Sequence, residues 1–408
     1  MGRGFHATLV IIAAVGFVTL TLTNNNNNYF HRSLKSGQLQ SPHFASRQRR
    51  AIAKLAHPNE TITKKLSTAA HSYCDGNDLV DYPLPKYDAC PPNSTLNVIP
   101  FFGGMTNALK FVVLGGLLSF EENRCFIVSE KDAHLNPGHK YGKTQDGEMG
   151  NFVDHFFEQI GLPHDHPFVK ERMESGNYQV REWREYWDSL HRRRTSLNNF
   201  DYNTPMYSHP TARVDGVTLK RDFIRHMWHL LPSYREHTCQ ALKDQKIFDT
   251  DYIAFSVRRG DKTSEHFTFP TMNIYIEEAE ALIPHVFKAG QRPKFFVATD
   301  ECYLLDVLRR ARPQWDIASQ CDQLAEPQKG YDIRKIPSMT EEQREEHFRK
   351  FFVELYALAL SKVFIGVAYT NVAWWAYMMR PNFNQDFLED TFILVDYSPL
   401  GQETLNYW

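Results

Sequence analysis

Neither sign of charge is in excess in this sequence: 46 Lys and Arg stand against 48 Asp and Glu over 408 residues, a formal net charge of −2. Wholesale nucleic-acid binding by net charge is therefore disfavoured, and only a local basic pocket stays open. No internal repeat is visible, which argues against solenoids and propellers. There is no G-x-G-x-x-G and no Gly-Lys-Ser/Thr loop, so neither the dinucleotide nor the P-loop motif is met. The six cysteines (Cys74, Cys90, Cys125, Cys239, Cys302, Cys321) contain no C-x-x-C. They allow fifteen pairings, among which spacing does not choose, or several buried free thiols. Long apolar runs are also scarce. Residues 7–23 form the only one, and a mean hydropathy of −0.47 excludes a polytopic membrane protein.

What is present is core material. Hydrophobic residues make up 42% and aromatics 13%, enough for a large core in two to three domains. The run at 7–23 has 17 residues, the low edge for one membrane span. It reads as a signal-anchor or a cleaved signal peptide. The nearest cleavage signal, Thr21-Leu22-Thr23, is weak, which favours the anchor. Arg3 before the run and Arg32 and Lys35 after it leave orientation open. Asn59-Glu60-Thr61 and Asn93-Ser94-Thr95 are glycosylation acceptors and favour a lumenal carboxyl side. Residues 24–72, with the Asn24 to Asn28 homopolymer, read as a mobile stem.

Order is expected from Tyr73. The run 96–102 reads as a buried strand, Gly103-Gly104 as a turn, 105–122 as an apolar helix and 124–129 as the next strand. That succession is the unit of a parallel sheet. The glycine pair admits a ligand close to a helix start, or makes a tight turn only. Residues 131–240 read as mixed helix and loop; within them 182–194 is an amphipathic helix whose Arg192-Arg193-Arg194 is read as a solvated end. A second alternation begins near 250. Strands are expected at 252–257, 294–298, 315–318 and 363–367. Helices are expected at 273–287, 303–311, 348–360 and 371–379, with Pro284 kinking or ending the first. The fold class is α/β with two Rossmann-like domains, 73–240 and 241–385. Before them lie a tail (1–6), a transmembrane helix (7–23) and a short stem (24–72); a tail (386–408) follows. Ligands in such sheets sit outside the carboxyl ends of the strands, and between domains.

The densest chemistry leaves the carboxyl end of the strand at 252–257. Arg258, Arg259 and Lys262 accompany Asp261 and Glu265, with Gly260 permitting the bend and His266 next in line. A guanidinium fork binds phosphate oxygens in pairs. Two adjacent arginines leave a loop in different directions, so one can meet phosphate while a carboxylate holds the other. The pattern suits a diphosphate leaving group neutralised by arginine rather than by a metal. A merely solvated loop is the plain alternative. An adhesive Arg259-Gly260-Asp261 tripeptide is disfavoured directly after an apolar strand. Asp249-Thr250-Asp251 has the D-x-D form but lies at the amino end of a strand, the wrong edge. His164-Asp165-His166 sits in a Pro-rich loop. Both read as solvated loops, and no metal site is expected.

The run Ser256-Val257-Arg258-Arg259-Gly260-Asp261-Lys262 resembles the H-V-R-R-T-D-K motif of the α-1,6-fucosyltransferase family, which includes the rhizobial nodulation fucosyltransferases. The run 296–301 resembles that family's Y-L-A-T-D-D. Glu354, the strand at 363–367, Thr370-Asn371-Val372 and Ala376-Tyr377 resemble its final block. The Gly103-Gly104 unit is similar to its first glycine loop. The resemblance implies a two-Rossmann GT-B-type fold in the Golgi membrane as a single-pass type II protein. A secreted or ER-lumenal protein would follow signal cleavage. It implies a GDP-fucose donor, a glycan or glycoprotein acceptor such as the N-glycan core GlcNAc, and metal-independent inversion with no cofactor. Partners would be the membrane through the N-terminal helix and no nucleic acid, with a homodimer left open. Arg258 matches the diphosphate arginine, Arg259 the second essential one, and Asp261 and Lys262 the residues after them. Glu265 stands near the base, one residue short in spacing; Asp261 or His266 are alternatives. Asp300 and Glu301 match the acidic pair, Glu354 the carboxylate reading guanine, and Thr370 and Asn371 the last motif. Gly103, Gly104 and Ser256 complete the expected donor site.

The sequence departs from the pattern in places. Ser256 replaces the motif's His, Glu301 replaces an Asp, and no long coiled-coil stem or carboxyl-terminal SH3-like domain is read. A protein O-fucosyltransferase is the second reading, and a secretory-pathway binding protein without turnover the third.

Overall fold

A computed structural model of the chain describes residues 60–75, 90–100, 105–129, 141–143, 149–150, 155–158, 160–181, 203–204, 207–208, 216–248, 250–260, 269–324, 330, 339–367, 369–381 and 391–395. The apolar run at 7–23, the acceptor Asn59 and the helix expected at 182–194 lie outside them. Among the described residues no helix is long and apolar enough to cross a membrane.

The chain opens on helix α1 (Glu60–Cys74), then β1 (Leu96–Pro100), α2 (Met105–Glu121) and β2 (Phe126–Ser129). A ribbon of β3 (Tyr141–Lys143) and β4 (Met149–Gly150) follows, then α3 (Pro167–Ser175) and β5 (Tyr178–Val180). A second ribbon, β6 (Asn203–Thr204) with β7 (Tyr207–Ser208), precedes α4 (Gly216–Met227) and α5 (Pro232–Asp244). The order β2-β1-β5 makes one three-stranded sheet, parallel throughout. Every residue of β1 and β2 is buried. Parallel strands are covered on both faces, which is why these two are nearly unbroken apolar runs.

The second alternation comprises β8 (Ile253–Val257), α6 (Met272–Val286), β9 (Lys294–Thr299), α7 (Tyr303–Ala311), β10 (Asp316–Ala318), α8 (Glu341–Leu360), β11 (Val363–Gly366), α9 (Asn371–Met379) and β12 (Phe392–Leu394). Its five strands are parallel in the order β10-β9-β8-β11-β12. The chain therefore winds outward one way from β8, returns, and winds the other way from β11. The order reverses between β8 and β11, where an open α/β sheet forms its ligand crevice.

Three local expectations change. Helix α1 falls inside the span read as stem: Leu66, Ala70 and Tyr73 are buried, and Cys74 is bonded to Cys239. Helix α8 begins at Glu341 rather than 348, because Thr340 and Gln343 form a reciprocal capping box. Its charged first turns carry no apolar period, so sequence alone did not reveal them. Pro284 stays inside α6, which ends two residues later at Val286.

One core cluster runs from Leu66 to Leu394 and takes residues from both sheets. Trp228, just after α4, meets Phe352 of α8 at 5.9 Å and Trp375 of α9 at 5.6 Å between ring centroids. At the end of α9 the Arg380 carbonyl accepts from Arg221 at 3.2 Å and also from Arg225, both on α4. Cations at a helix carboxyl end oppose its dipole, so this joint ties α4 to α9 electrostatically as well as by packing.

All six cysteines pair: Cys74–Cys239, Cys90–Cys125 and Cys302–Cys321. The first closes the longest loop, 165 residues. Replacing both Cys74 and Cys239 by alanine is expected to cost about 2–5 kcal/mol, read by urea unfolding; an unchanged midpoint would contradict it.

Candidate active site

Val257 pairs with Thr299 across β8 and β9, and Phe255 with Ile365 across β8 and β11. The chain leaving these strands carries Arg258, Asp300 and Thr370. All three therefore emerge at one carboxyl edge, beside the reversal of strand order.

Asp300 organises that edge. It is 5% exposed, and its Oδ2 lies 3.3 Å from the Arg258 guanidinium. Its Oδ1 accepts the Arg259 backbone N–H at 2.9 Å. Its carbonyl accepts the Gly330 N–H at 2.6 Å. One carboxylate thus fixes the first arginine by its side chain and the second by its main chain. Gly260 continues the bend at φ 32°. Gly330 crosses directly over it: a β-carbon at Gly330 would stand 3.1 Å from the Gly260 Cα, and φ there is 100°. The opposing atom is backbone and cannot swing aside. Gly330→Ala should therefore cost about 1–3 kcal/mol of stability, measured by thermal unfolding; a neutral effect would mean the crossing is loose.

Two polar atoms at this edge, Nε of Arg259 and Oε2 of Glu301, are buried without a hydrogen-bond partner among the described residues. Native folds rarely keep such atoms, since each costs about 1–3 kcal/mol when it goes unpaired.

Helix α8 supplies a face the sequence reading largely missed. His347, Lys350 and Glu354 are spaced to lie along one side of it. Lys350 is 5% exposed; its Nζ donates to the Thr299 carbonyl at 3.0 Å and lies 3.0 Å from Oε1 of Glu354. The latter contact is an ion pair by distance, without the alignment of a hydrogen bond. Burial pushes the Glu354 carboxyl up, while Lys350 and the Thr299 backbone pull it back. His347 is held below the usual imidazole range by burial and by the Lys350 and Arg258 cations. Only Glu354 of these three was legible beforehand. Lys350, at i−4, lies inside the helix expected at 348–360 but in no motif, whereas His347, at i−7, joins the face only because the helix starts at Glu341.

The expected residues fare differently. Thr370 is 2% exposed and caps α9, its Oγ1 accepting the Ala373 N–H at 3.2 Å. Asn371 donates to Asn107 in the first turn of α2 at 3.3 Å, so the start of α9 meets the start of the helix behind the first sheet. Ser256 is buried within β8. A β-carbon on Gly366 would stand 3.3 Å from the Ser256 Cβ, so that side chain lies against β11. Its carbonyl accepts from the Tyr275 hydroxyl at 3.1 Å. Asn93 is exposed on the turn before β1. Gly103, Gly104, Asp261, Lys262, Glu265 and His266 lie outside the described residues.

The two metal-like motifs have structural partners. Asp251 pairs with Lys362 at 2.7 Å. His164 lies 3.0 Å from the Val128 carbonyl, and His166 caps α3 by accepting the Phe168 N–H at 3.2 Å. Among the described residues no cluster of His, Cys, Asp or Glu is arranged to hold a metal ion.

No protein-family model matches the chain, and no curated protein matches it. Solved structures do. It is similar to NodZ alpha-1,6-fucosyltransferase soaked with GDP-fucose, at 13% identity over 72% of this chain and 97% of that one, with a TM-score of 0.41. A mutant of Arabidopsis thaliana FUT1 in complex with GDP is 12% identical over 83% of this chain and 78% of that one, with a TM-score of 0.39. POFUT1 in complex with GDP-fucose is 10% identical over 72% and 97%, with a TM-score of 0.34. Likeness at this level concerns the course of the chain; the chemistry rests on the site's own residues.

Proposed function

We propose that this protein is a fucosyltransferase that takes fucose from GDP-fucose by inverting displacement without a metal. The observation that carries the reading is the Arg258-Arg259 pair, braced by Asp300 at the reversal point of a parallel sheet. In the reaction an acceptor oxygen forms a bond to the fucose anomeric carbon while the bond from that carbon to the β-phosphate oxygen breaks. GDP leaves with the electron pair, and the hydroxyl proton passes to a base, with Glu265 or Asp261 in that role. Negative charge grows on the leaving diphosphate, and a fixed guanidinium offsets it without reorganising. Glu354 suits the guanine edge, because a carboxylate accepts from the N1–H and amino groups that adenine does not present together.

The acceptor is a glycan in this reading, with an α-1,6 linkage such as that to the N-glycan core GlcNAc. The site is the Golgi lumen, reached by a single-pass type II anchor. Three disulfides using every cysteine support an oxidising compartment.

The test is transfer of labelled fucose from GDP-fucose by the lumenal portion in the presence of EDTA. Labelling of an N-glycan supports the linkage class, whereas labelling of a folded EGF-like or thrombospondin-like repeat would assign protein O-fucosylation instead. Activity that dies with EDTA and returns with Mn²⁺ would overturn the metal-free mechanism.

A further inference from the structure

We infer that Lys350 is a positioning residue for nucleotide recognition: by bridging the Thr299 carbonyl and the Glu354 carboxylate, it holds Glu354 as a fixed acceptor for a guanine edge. The inference rests on the GDP reading above and adds to it a residue that the motifs do not contain.

The geometry is economical. Thr299 is the last residue of β9 and Asp300 the first beyond it. The Thr299 carbonyl anchors Lys350 at 3.0 Å, and Lys350 faces Glu354 at 3.0 Å. The Asp300 side chain anchors Arg258 at 3.3 Å and the Arg259 N–H at 2.9 Å. Two adjacent residues therefore set the spacing between the group assigned to the base and the groups assigned to the diphosphate.

Electrostatics gives Lys350 a second task. Among the described residues the charged groups acting on Glu354 are Lys350 on its own helix and Asp300 just after β9; Lys350 and Arg258, just after β8, also act on His347. Burial and the Asp300 charge both favour protonation of Glu354, while Lys350 opposes them. A protonated carboxyl would present a donor to a base edge that itself donates. Removing the ammonium should therefore weaken GDP binding near neutrality, and raising the pH should restore it by ionising Glu354.

The experiment is GDP and ADP titration of the whole lumenal chain, wild type and variants, from pH 6 to about pH 9.5. For Lys350→Met the expected loss of GDP affinity at pH 7 is about 10- to 100-fold, shrinking toward the alkaline end. The preference for GDP over ADP should fall with it, while Lys350→Arg stays near wild type. A Lys350→Met protein with wild-type GDP affinity and a flat pH profile overturns the inference. If it does not fold, Lys350→Met combined with Glu354→Gln replaces it, since the two substitutions together remove both members of the buried pair. GDP affinity equal to that of Glu354→Gln alone then supports the inference, and a further loss overturns it. Failure of the underlying reading looks different: the wild type binds no GDP, or binds it no better than Arg258→Ala.

Discussion

Arg258→Ala is expected to weaken GDP binding by about 30- to 4,000-fold, the equivalent of 2–5 kcal/mol for truncating one member of a buried charge pair. Transfer should fall at least as far, because charge on the diphosphate grows toward the transition state. The side chain is 19% exposed and held by Asp300, so it is both reachable and already oriented. Arg258→Lys should recover only part of the loss, since an ammonium keeps the charge but not the two-pronged geometry. Calorimetric titration with GDP reads the first quantity and single-turnover transfer the second. Equal GDP affinity in wild type and Arg258→Ala would remove the diphosphate role altogether.

Asp300→Ala carries the second large effect, and it falls on stability as well as on binding. The substitution leaves Arg258 without this carboxylate and the Arg259 N–H without its acceptor. Breaking a buried ion pair by deleting one partner costs about 3–5 kcal/mol, measurable as a lower urea midpoint. GDP affinity should fall too, because both arginines lose the group that orients them. Asp300→Asn should be intermediate: an amide oxygen can still accept from Arg259 but no longer offsets the Arg258 charge. Full stability in Asp300→Ala would mean that other groups hold the bend.

The twin arginines were legible because their signal is local: a short apolar strand followed at once by Arg-Arg-Gly. Thr370 was legible as a motif residue standing just before an apolar helical run, and the structure shows it capping that helix. Glu354 could be singled out by a motif, but the role of Lys350 could not, although it lies within the helix expected at 348–360: the carbonyl it reaches, that of Thr299, is 51 residues away. Ser256 looked available to a ligand from its place in the motif, yet the alternation of β8 turns it against Gly366. Helix α1 was read as stem because its apolar residues are sparse; what holds it is a disulfide and a few buried side chains, neither of which a window of sequence displays.

The sequence by itself determined the elements: unbroken apolar strands, glycines and arginines at their carboxyl ends, and amphipathic helices between them. Those preferences act over one to four residues, so a linear reading captures them. Only the tertiary structure decided that the second sheet runs β10-β9-β8-β11-β12 and which cysteines are paired. It alone showed that Asp300 reaches Arg259 across 41 residues and Lys350 reaches Thr299 across 51. Contacts of that span depend on strand register and on how helices pack over the sheet, energies that arise only when distant segments are brought together.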